Sequence, residues 1–309
     1  MPDNRIVLGT AKLGLEGRES AFAMLDAYVE RGGTAIDTAS VYSDWVPGEP
    51  GRSETTIGAW LKARGNRDRV SIQTKGAHPP IGDMHAPRSD PASIRHDVET
   101  SLARLGTDVL DLWYFHRDDP ARPVAELVGP VHDLIAEGKI RAYGVSNWTS
   151  ARIGEALALE GPKPAASQPL GNILCAVTGA PGDDTLAVFD AAMLHQARAN
   201  GITLNLFTSQ CAGYFPRRAA GKPLPGDYDK PACHEAAAKI EAICAREGLD
   251  INLAILAFLI GLAPNVNALI GPRHVEQFLG TFPAADLVLS DDVMRELAGA
   301  ARMTAFLDA

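Results

Sequence analysis

A basic surplus is the first thing this sequence lacks. Lysine and arginine number 29 against 38 aspartates and glutamates, which leaves a formal charge of −9, and no basic run offsets it. That balance argues against general binding to the phosphate backbone, so no nucleic acid partner is expected. Cysteine is scarce: Cys175, Cys211, Cys233 and Cys244 form neither a close pair nor a metal-ligand spacing. No disulfide framework or metal site is therefore expected, and free thiols in a reducing cytoplasm are the preferred reading. Long apolar runs are missing as well. The most apolar segment, Leu253 to Leu262, falls short of the roughly 20 residues that cross a bilayer, so it reads as a buried helix and no membrane partner is expected. Met1-Pro2-Asp3-Asn4-Arg5 leads straight into a strand, with no apolar stretch of signal-peptide kind.

What is present suffices for a substantial core. A chain of 309 residues, 46% hydrophobic and 22% charged, fits a soluble globular enzyme built as two domains or as one barrel of the larger kind. Strands are expected at Ile6 to Leu8, Thr34 to Ile36, Val70 to Lys75, Val109 to Phe115, Lys139 to Val145, Ala165 to Gln168, Ile202 to Phe207 and Asn267 to Ile270. Helices fall between them. The first starts near Ser20, buries Phe22, Leu25, Ala27 and Val29, and stops at Gly32-Gly33. Another is capped by Asp90 with Pro91 at its first position, carries Ile94, Val98, Leu102 and Leu105 on one face, and ends at Gly106. Further helices are expected over Ser53 to Ala63, Pro123 to Ala136, Ala151 to Leu159, Asp184 to Asn200, Cys233 to Glu247 and Asn252 to Leu262, with a Gly/Pro-rich loop from Ser209 to Pro231. Strands alternating with helices at this length predict a closed (β/α)8 TIM barrel, a single domain over residues 1–309. The second choice is an open dinucleotide-binding sheet, which lacks its phosphate turn because no G-x-G-x-x-G follows the first strand.

Three of these strands end in a group that can do chemistry: Asp37, Lys75 and His116. In a barrel all carboxyl ends meet at one face, so the three converge. Tyr42 follows Asp37 by five residues. A tyrosine beside a lysine ammonium, itself held by a carboxylate, forms a relay for donating a proton to a carbonyl oxygen. The cation is expected to lower the tyrosine pKa, Asp37 to keep Lys75 charged, and His116 to polarise or position the substrate oxygen. General acid help of this sort is worth about 10²- to 10⁴-fold in rate. None of these groups supplies a hydride, so a reduction needs a cofactor. Lys75 as a Schiff-base nucleophile is the alternative chemistry, and Asp37 opposes it by favouring the charged amine.

Leu8-Gly9-Thr10, Ile36-Asp37-Thr38-Ala39 with Tyr42, Gly51-Arg52-Ser53-Glu54, Thr74-Lys75, Leu105-Gly106-Thr107-Asp108 through His116, and Gly138-Lys139-Ile140-Arg141-Ala142-Tyr143-Gly144-Val145-Ser146-Asn147 stand in order ahead of the right strands. On these residues the chain resembles the aldo-keto reductase superfamily over nearly its whole length. The resemblance implies an NADPH-dependent reductase of aldehydes or ketones, with a sugar or another small carbonyl compound as partner and NADH as a second cofactor option. It places the catalytic tetrad on Asp37, Tyr42, Lys75 and His116. It also implies cofactor contacts from Gly9, Thr10, Asp37 and Ser146, carboxamide contacts from Asn147 and Gln168, ring stacking on Phe207, and a pyrophosphate contact from Thr208. Gly271, Arg273 and Gln277 fall in the adenosine-phosphate loop, and Thr281 stands where an asparagine usually meets adenine. Asn147 as a helix cap and Phe207 as barrel core are the structural alternatives. A non-catalytic nucleotide sensor, as some relatives are, is the other functional one.

The sequence departs from the family pattern in two places. Thr208-Ser209-Gln210 replaces the usual Ser-Pro-Leu, and Gln168-Pro169-Leu170-Gly171-Asn172 lacks the aromatic commonly found shortly after the glutamine. Trp45, Arg117 and Trp148 are candidate substrate-pocket walls.

Overall fold

Each strand is short, because a barrel strand needs only enough length to cross a packed interior before it turns out into a loop. The structure, a computed structural model, describes residues 5–309; the expectation for Met1 to Asn4 lies outside them. Eight parallel strands close into a barrel in chain order. They are β1 (Ile6–Gly9), β2 (Ala35–Asp37), β3 (Ser71–Gly76), β4 (Leu112–Phe115), β5 (Tyr143–Ser146), β6 (Ala166–Gln168), β7 (Thr203–Leu206) and β8 (Val266–Ile270). β1 closes on β8 with Ile6 opposite Ala268.

Outward-facing apolar residues such as Ile36, Ile72, Trp113 and Val145 are fully buried beneath the helices. The interior is more polar. Asn205 donates to the Tyr114 hydroxyl at 2.7 Å and to Gln73 Oε1 at 3.0 Å, and Asn267 donates to Asn205 Oδ1 at 2.8 Å. This plug fills the barrel below the carboxyl rim with side chains that satisfy one another, as buried polar groups must.

Helix ends follow local chemistry. Asp90 accepts from the Ala92 and Ser93 amides at 3.1 and 3.0 Å, and Gly106 closes Pro91–Leu105 at φ 65°. In Arg18–Glu30 the buried face is Ala21, Met24, Leu25, Tyr28 and Val29. Phe22, expected inside, is only half-buried, and the Arg18 and Arg64 guanidiniums lie 4.9 and 5.5 Å from its ring centre.

The expected helix from Asp184 begins only at Ala191. Ahead of it, Leu170 bridges Val188, and Phe189 donates to the Leu170 carbonyl at 2.8 Å, so tertiary pairing takes the backbone that helix would have used. The 209–231 segment is not an open loop. It holds the short turns Cys211–Gly213, Tyr214–Ala219 and Gly226–Tyr228, anchored by buried Tyr214, Phe215 and Tyr228. Helices Val275–Thr281, Asp291–Ala300 and Thr304–Leu307 were not expected. Among the described residues no helix is long and apolar enough to cross a membrane.

Helices Arg52–Arg64 and Pro91–Leu105 touch through Gly58, where an added Cβ would lie 2.2 Å from the Arg104 carbonyl oxygen. Gly58→Ala should destabilise the fold by roughly 2 kcal/mol, through forced separation of two backbones. Thermal unfolding checks this, and an unchanged midpoint would show that the helices part freely.

Candidate active site

Asp37 closes β2, paired with Gly9 of β1 and Gln73 of β3. Lys75 lies one layer further along β3, on the same inward face as Gln73. Both charged groups are buried. The Lys75 ammonium donates to Asp37 Oδ1 at 2.6 Å, to the Thr38 carbonyl at 2.8 Å and to the Tyr42 hydroxyl at 2.9 Å. Three acceptors match the three N–H bonds of an ammonium, which is the geometry of the charged form. Tyr42 sits on the turn after β2, and its hydroxyl donates to Asp37 Oδ2 at 3.2 Å. The tyrosine is therefore held by the carboxylate and the ammonium together.

The surroundings fix these groups in place. Thr10 bonds the Asp37 carbonyl through its hydroxyl at 2.7 Å and its amide at 3.0 Å, while Ser53 bonds the Thr10 carbonyl and the Thr38 hydroxyl. Buried Glu54 accepts from Thr74 at 2.6 Å and pairs with Arg104, which also donates to the Ser40 carbonyl. The Arg52-Ser53-Glu54 segment thus supports the rim from behind. Backbone strain collects at the same rim: Ser43, Ala77, Asn147 and Thr208 have φ of 74°, 54°, 62° and 56°. Such conformations cost about 1–3 kcal/mol each, and they persist only where neighbours enforce them.

Burial sets the charge states. It pulls the Lys75 pKa below the ordinary lysine value, and Asp37 opposes the shift. The expected lowering of the Tyr42 pKa is not what the structure shows. Burial pushes it well above the usual value and the adjacent Asp37 carboxylate adds to the rise, so the phenol keeps the proton that an acid must start with. His116 moves far down, through burial first and then through the nearby His78, Lys75 and Arg117. Its Nδ1 is buried without a hydrogen-bond partner among the described residues, and its ring centre lies 5.8 Å from that of Tyr42. The imidazole is neutral.

A cavity of about 440 Å³ opens beside Tyr42, lined by Gly9, Thr10, Lys12, Trp45, Gly271 and Arg273 among others. At Gly9 an added Cβ would lie 3.1 Å from the Ile270 carbonyl oxygen and 2.5 Å from Leu269 Cδ2, so a side chain there would crowd the β8 end. Asn147 donates to the His116 carbonyl at 3.2 Å and to Ser146 Oγ at 3.1 Å, while its own Oδ1 is buried and has no partner among the described residues. Ser146 Oγ donates to the Gln168 carbonyl at 2.9 Å, and Gln168 donates to Asp37 Oδ1 at 2.8 Å. An unpaired acceptor beside an amide donor is the pattern a carboxamide requires, so the residues present fit a nicotinamide. Phe207 and Thr208 are half-buried at the end of β7, and Ser209 beside them donates to the Leu269 carbonyl at 2.7 Å. Arg273 and Gln277 are exposed, and Gln277 Oε1 accepts from the Arg273 amide at 2.9 Å. Thr281 is buried with its hydroxyl on the Gln277 carbonyl, so its polar end serves the helix.

Trp45 is 48% exposed beside Tyr42. Arg117 is half-buried, donating to Thr185 Oγ1 and to the His116 carbonyl, both at 3.0 Å. Trp148 is not a pocket wall: it is fully buried, packed on Phe115 with Arg152 against its ring. His78 was missed by sequence reasoning, yet its ring centre lies 4.6 Å from that of His116. The only sequence signal for it was a histidine three residues beyond Lys75.

The geometry defines a (β/α)8 oxidoreductase with a buried Asp–Lys–Tyr proton relay at the carboxyl rim. The profile of the aldo/keto reductase family matches residues 5–302, and the chain belongs to that family. Norsolorinic acid reductase stcV of Emericella nidulans is 29% identical to it, over 93% of this chain and 73% of that one. An aryl-alcohol dehydrogenase [NADP(+)] of Phanerodontia chrysosporium is 26% identical over 92% of this chain and 77% of the other. The crystal structure of an aldo-keto reductase from Klebsiella pneumoniae in complex with NADPH superposes with a TM-score of 0.69 at 27% identity, covering 96% of this chain and 90% of that one.

Both His116 and His78 are held neutral by burial, with pKa values below the ordinary imidazole value. The unfolded chain therefore takes up protons first as pH falls, and stability drops from about pH 6.5 downward, by up to roughly 1.4 kcal/mol per pH unit and group. His116→Phe should flatten that acid slope in thermal unfolding between pH 7 and 5. An identical slope in the variant would assign the loss to other groups.

Proposed function

We propose that this protein reduces an aldehyde or ketone, such as a sugar or another small carbonyl compound, to the alcohol. The proton comes from Tyr42. One observation carries the reading: a protonated tyrosine hydroxyl lies between a buried ammonium and a buried carboxylate, at the edge of a cavity on the carboxyl rim. NADPH, when bound, supplies the hydride. Asn147 and Gln168 would hold its carboxamide, Gly9, Thr10 and Ser146 would let it close on the barrel mouth, and Phe207 and Thr208 would flank it.

The chain's own groups divide the remaining work. As the carbonyl oxygen gains charge, Tyr42 donates its proton, and the Lys75 ammonium at 2.9 Å stabilises the tyrosinate left behind. Neutral His116 donates a hydrogen bond that orients the oxygen. Lys75 has all its N–H bonds engaged and no free lone pair, which weighs against a Schiff base. Four cysteines, all free and buried, support a cytoplasmic location, and the family match over 5–302 supports one domain across 1–309.

Tyr42→Phe should retain NADPH binding and lose about 10²- to 10⁴-fold in reduction rate across a panel of aldehydes and ketones, followed by NADPH oxidation. Parent-like rates in the variant would remove Tyr42 as the donor. NADPH bound by the parent with no carbonyl reduced would favour a nucleotide sensor.

Arg273 and Lys12 border the cavity, with Glu16 also in its lining, and a guanidinium binds a phosphate through paired, charge-assisted hydrogen bonds. NADPH should therefore bind tighter than NADH, and Arg273→Ala should narrow that gap by about tenfold or more, read by titrating both cofactors. An unchanged affinity ratio would place the phosphate reader elsewhere.

A further inference from the structure

We propose that His78 is a positioning residue for carbonyl reduction: a strained and doubly clamped turn presses its ring against His116 and so sets the orientation of that ring at the substrate. The inference rests on the role given above to His116. With His116 Nδ1 unpartnered among the described residues, no hydrogen bond from that atom orients the imidazole. Ring packing does so instead. Tyr42 lies on one side at 5.8 Å and 74°, and His78 on another at 4.6 Å and 68°.

The structure spends several contacts on holding His78 there. Ala77, immediately before it, is buried and left-handed at φ 54°, a conformation an L-residue adopts only under constraint. The constraint comes from helix Pro91–Leu105. Asp97 Oδ2 accepts the Ala77 amide at 2.8 Å, Arg88 pairs with Asp97 at 3.1 Å, and the same guanidinium donates to the His78 carbonyl at 3.3 Å. His78 Nδ1 lies 2.5 Å from the Pro79 carbonyl, which can only accept. The proton is thereby assigned to Nδ1, which fixes both the tautomer and the ring plane.

His78 also shares an electrostatic neighbourhood with the relay. Burial first, then Arg117, Asp183 and Arg88 act on it, while His78, Lys75 and Arg117 act on His116. Every cationic neighbour disfavours an imidazolium at His116, and burial under the His78 ring does the same. Removing the ring both frees His116 to turn and admits water to it.

The test is the pH profile of kcat for an aldehyde that the parent reduces, measured alongside NADPH affinity and thermal stability. His78→Asn and His78→Ala should lower kcat at pH 7 by about tenfold or more, leave NADPH affinity unchanged, and move the acid limb to higher pH as the His116 pKa returns toward its ordinary value. His78→Phe keeps a ring of similar thickness and should hold most of the parent rate. Parent-like rates and acid limbs in the Asn and Ala variants would overturn the proposal, as would an equal loss in the Phe variant at unchanged stability. A parent that reduces no aldehyde or ketone would instead overturn the proposed function.

Discussion

A lysine ammonium taken out of water must find three acceptors, and the architecture of this rim follows from meeting that demand at Lys75. Asp37 supplies one, the Thr38 carbonyl another and the Tyr42 hydroxyl the third. Each comes from β2 or its outgoing turn, so β2 must end at a fixed height against β3. The Asp37–Gln73 register does this, and the Thr10 and Ser53 bonds to the turn reinforce it. Deleting a partner would leave a buried charge uncompensated, a loss of about 3–5 kcal/mol in comparable pairs. Stability and chemistry therefore impose the same arrangement.

Burial also sorts the titratable groups into distinct states. The phenol is pushed up and stays protonated, the imidazole is pushed down and stays neutral, and the ammonium keeps its charge because a carboxylate is in contact with it. Together these make a proton donor, a neutral hydrogen-bond donor and a fixed cation within one small volume. The polar plug of Gln73, Tyr114, Asn205 and Asn267 beneath them extends that polar character into the barrel interior, where aliphatic layers more often lie.

The sequence carried the architecture well, because strand–helix alternation and end-capping residues are local properties. Asp90, Gly106 and the carboxyl-terminal positions of Asp37 and Lys75 were legible for that reason. Local reading failed where distant backbone competed: residues 184–190 have helical character by themselves, yet the Ala187 carbonyl and the Phe189 amide are claimed by Leu170. It failed as well for Trp148, whose loop position says nothing about the core closing over it.

By itself, then, the sequence determined which chemical groups exist and at which end of which strand they stand, since periodicity and punctuation fix the strands and the strands fix a common rim. Only the tertiary structure decided the protonation states and the supporting cast. A tyrosine placed near a lysine was expected to be acidified; in the folded chain the loss of solvent, and then the Asp37 carboxylate 3.2 Å away, push its pKa up instead. His78 acquires meaning only because Asp97, from a helix some twenty residues on, forces Ala77 into a turn that brings two imidazoles together. Desolvation and packing depend on what closes over a residue from elsewhere in the chain, and no local pattern encodes them.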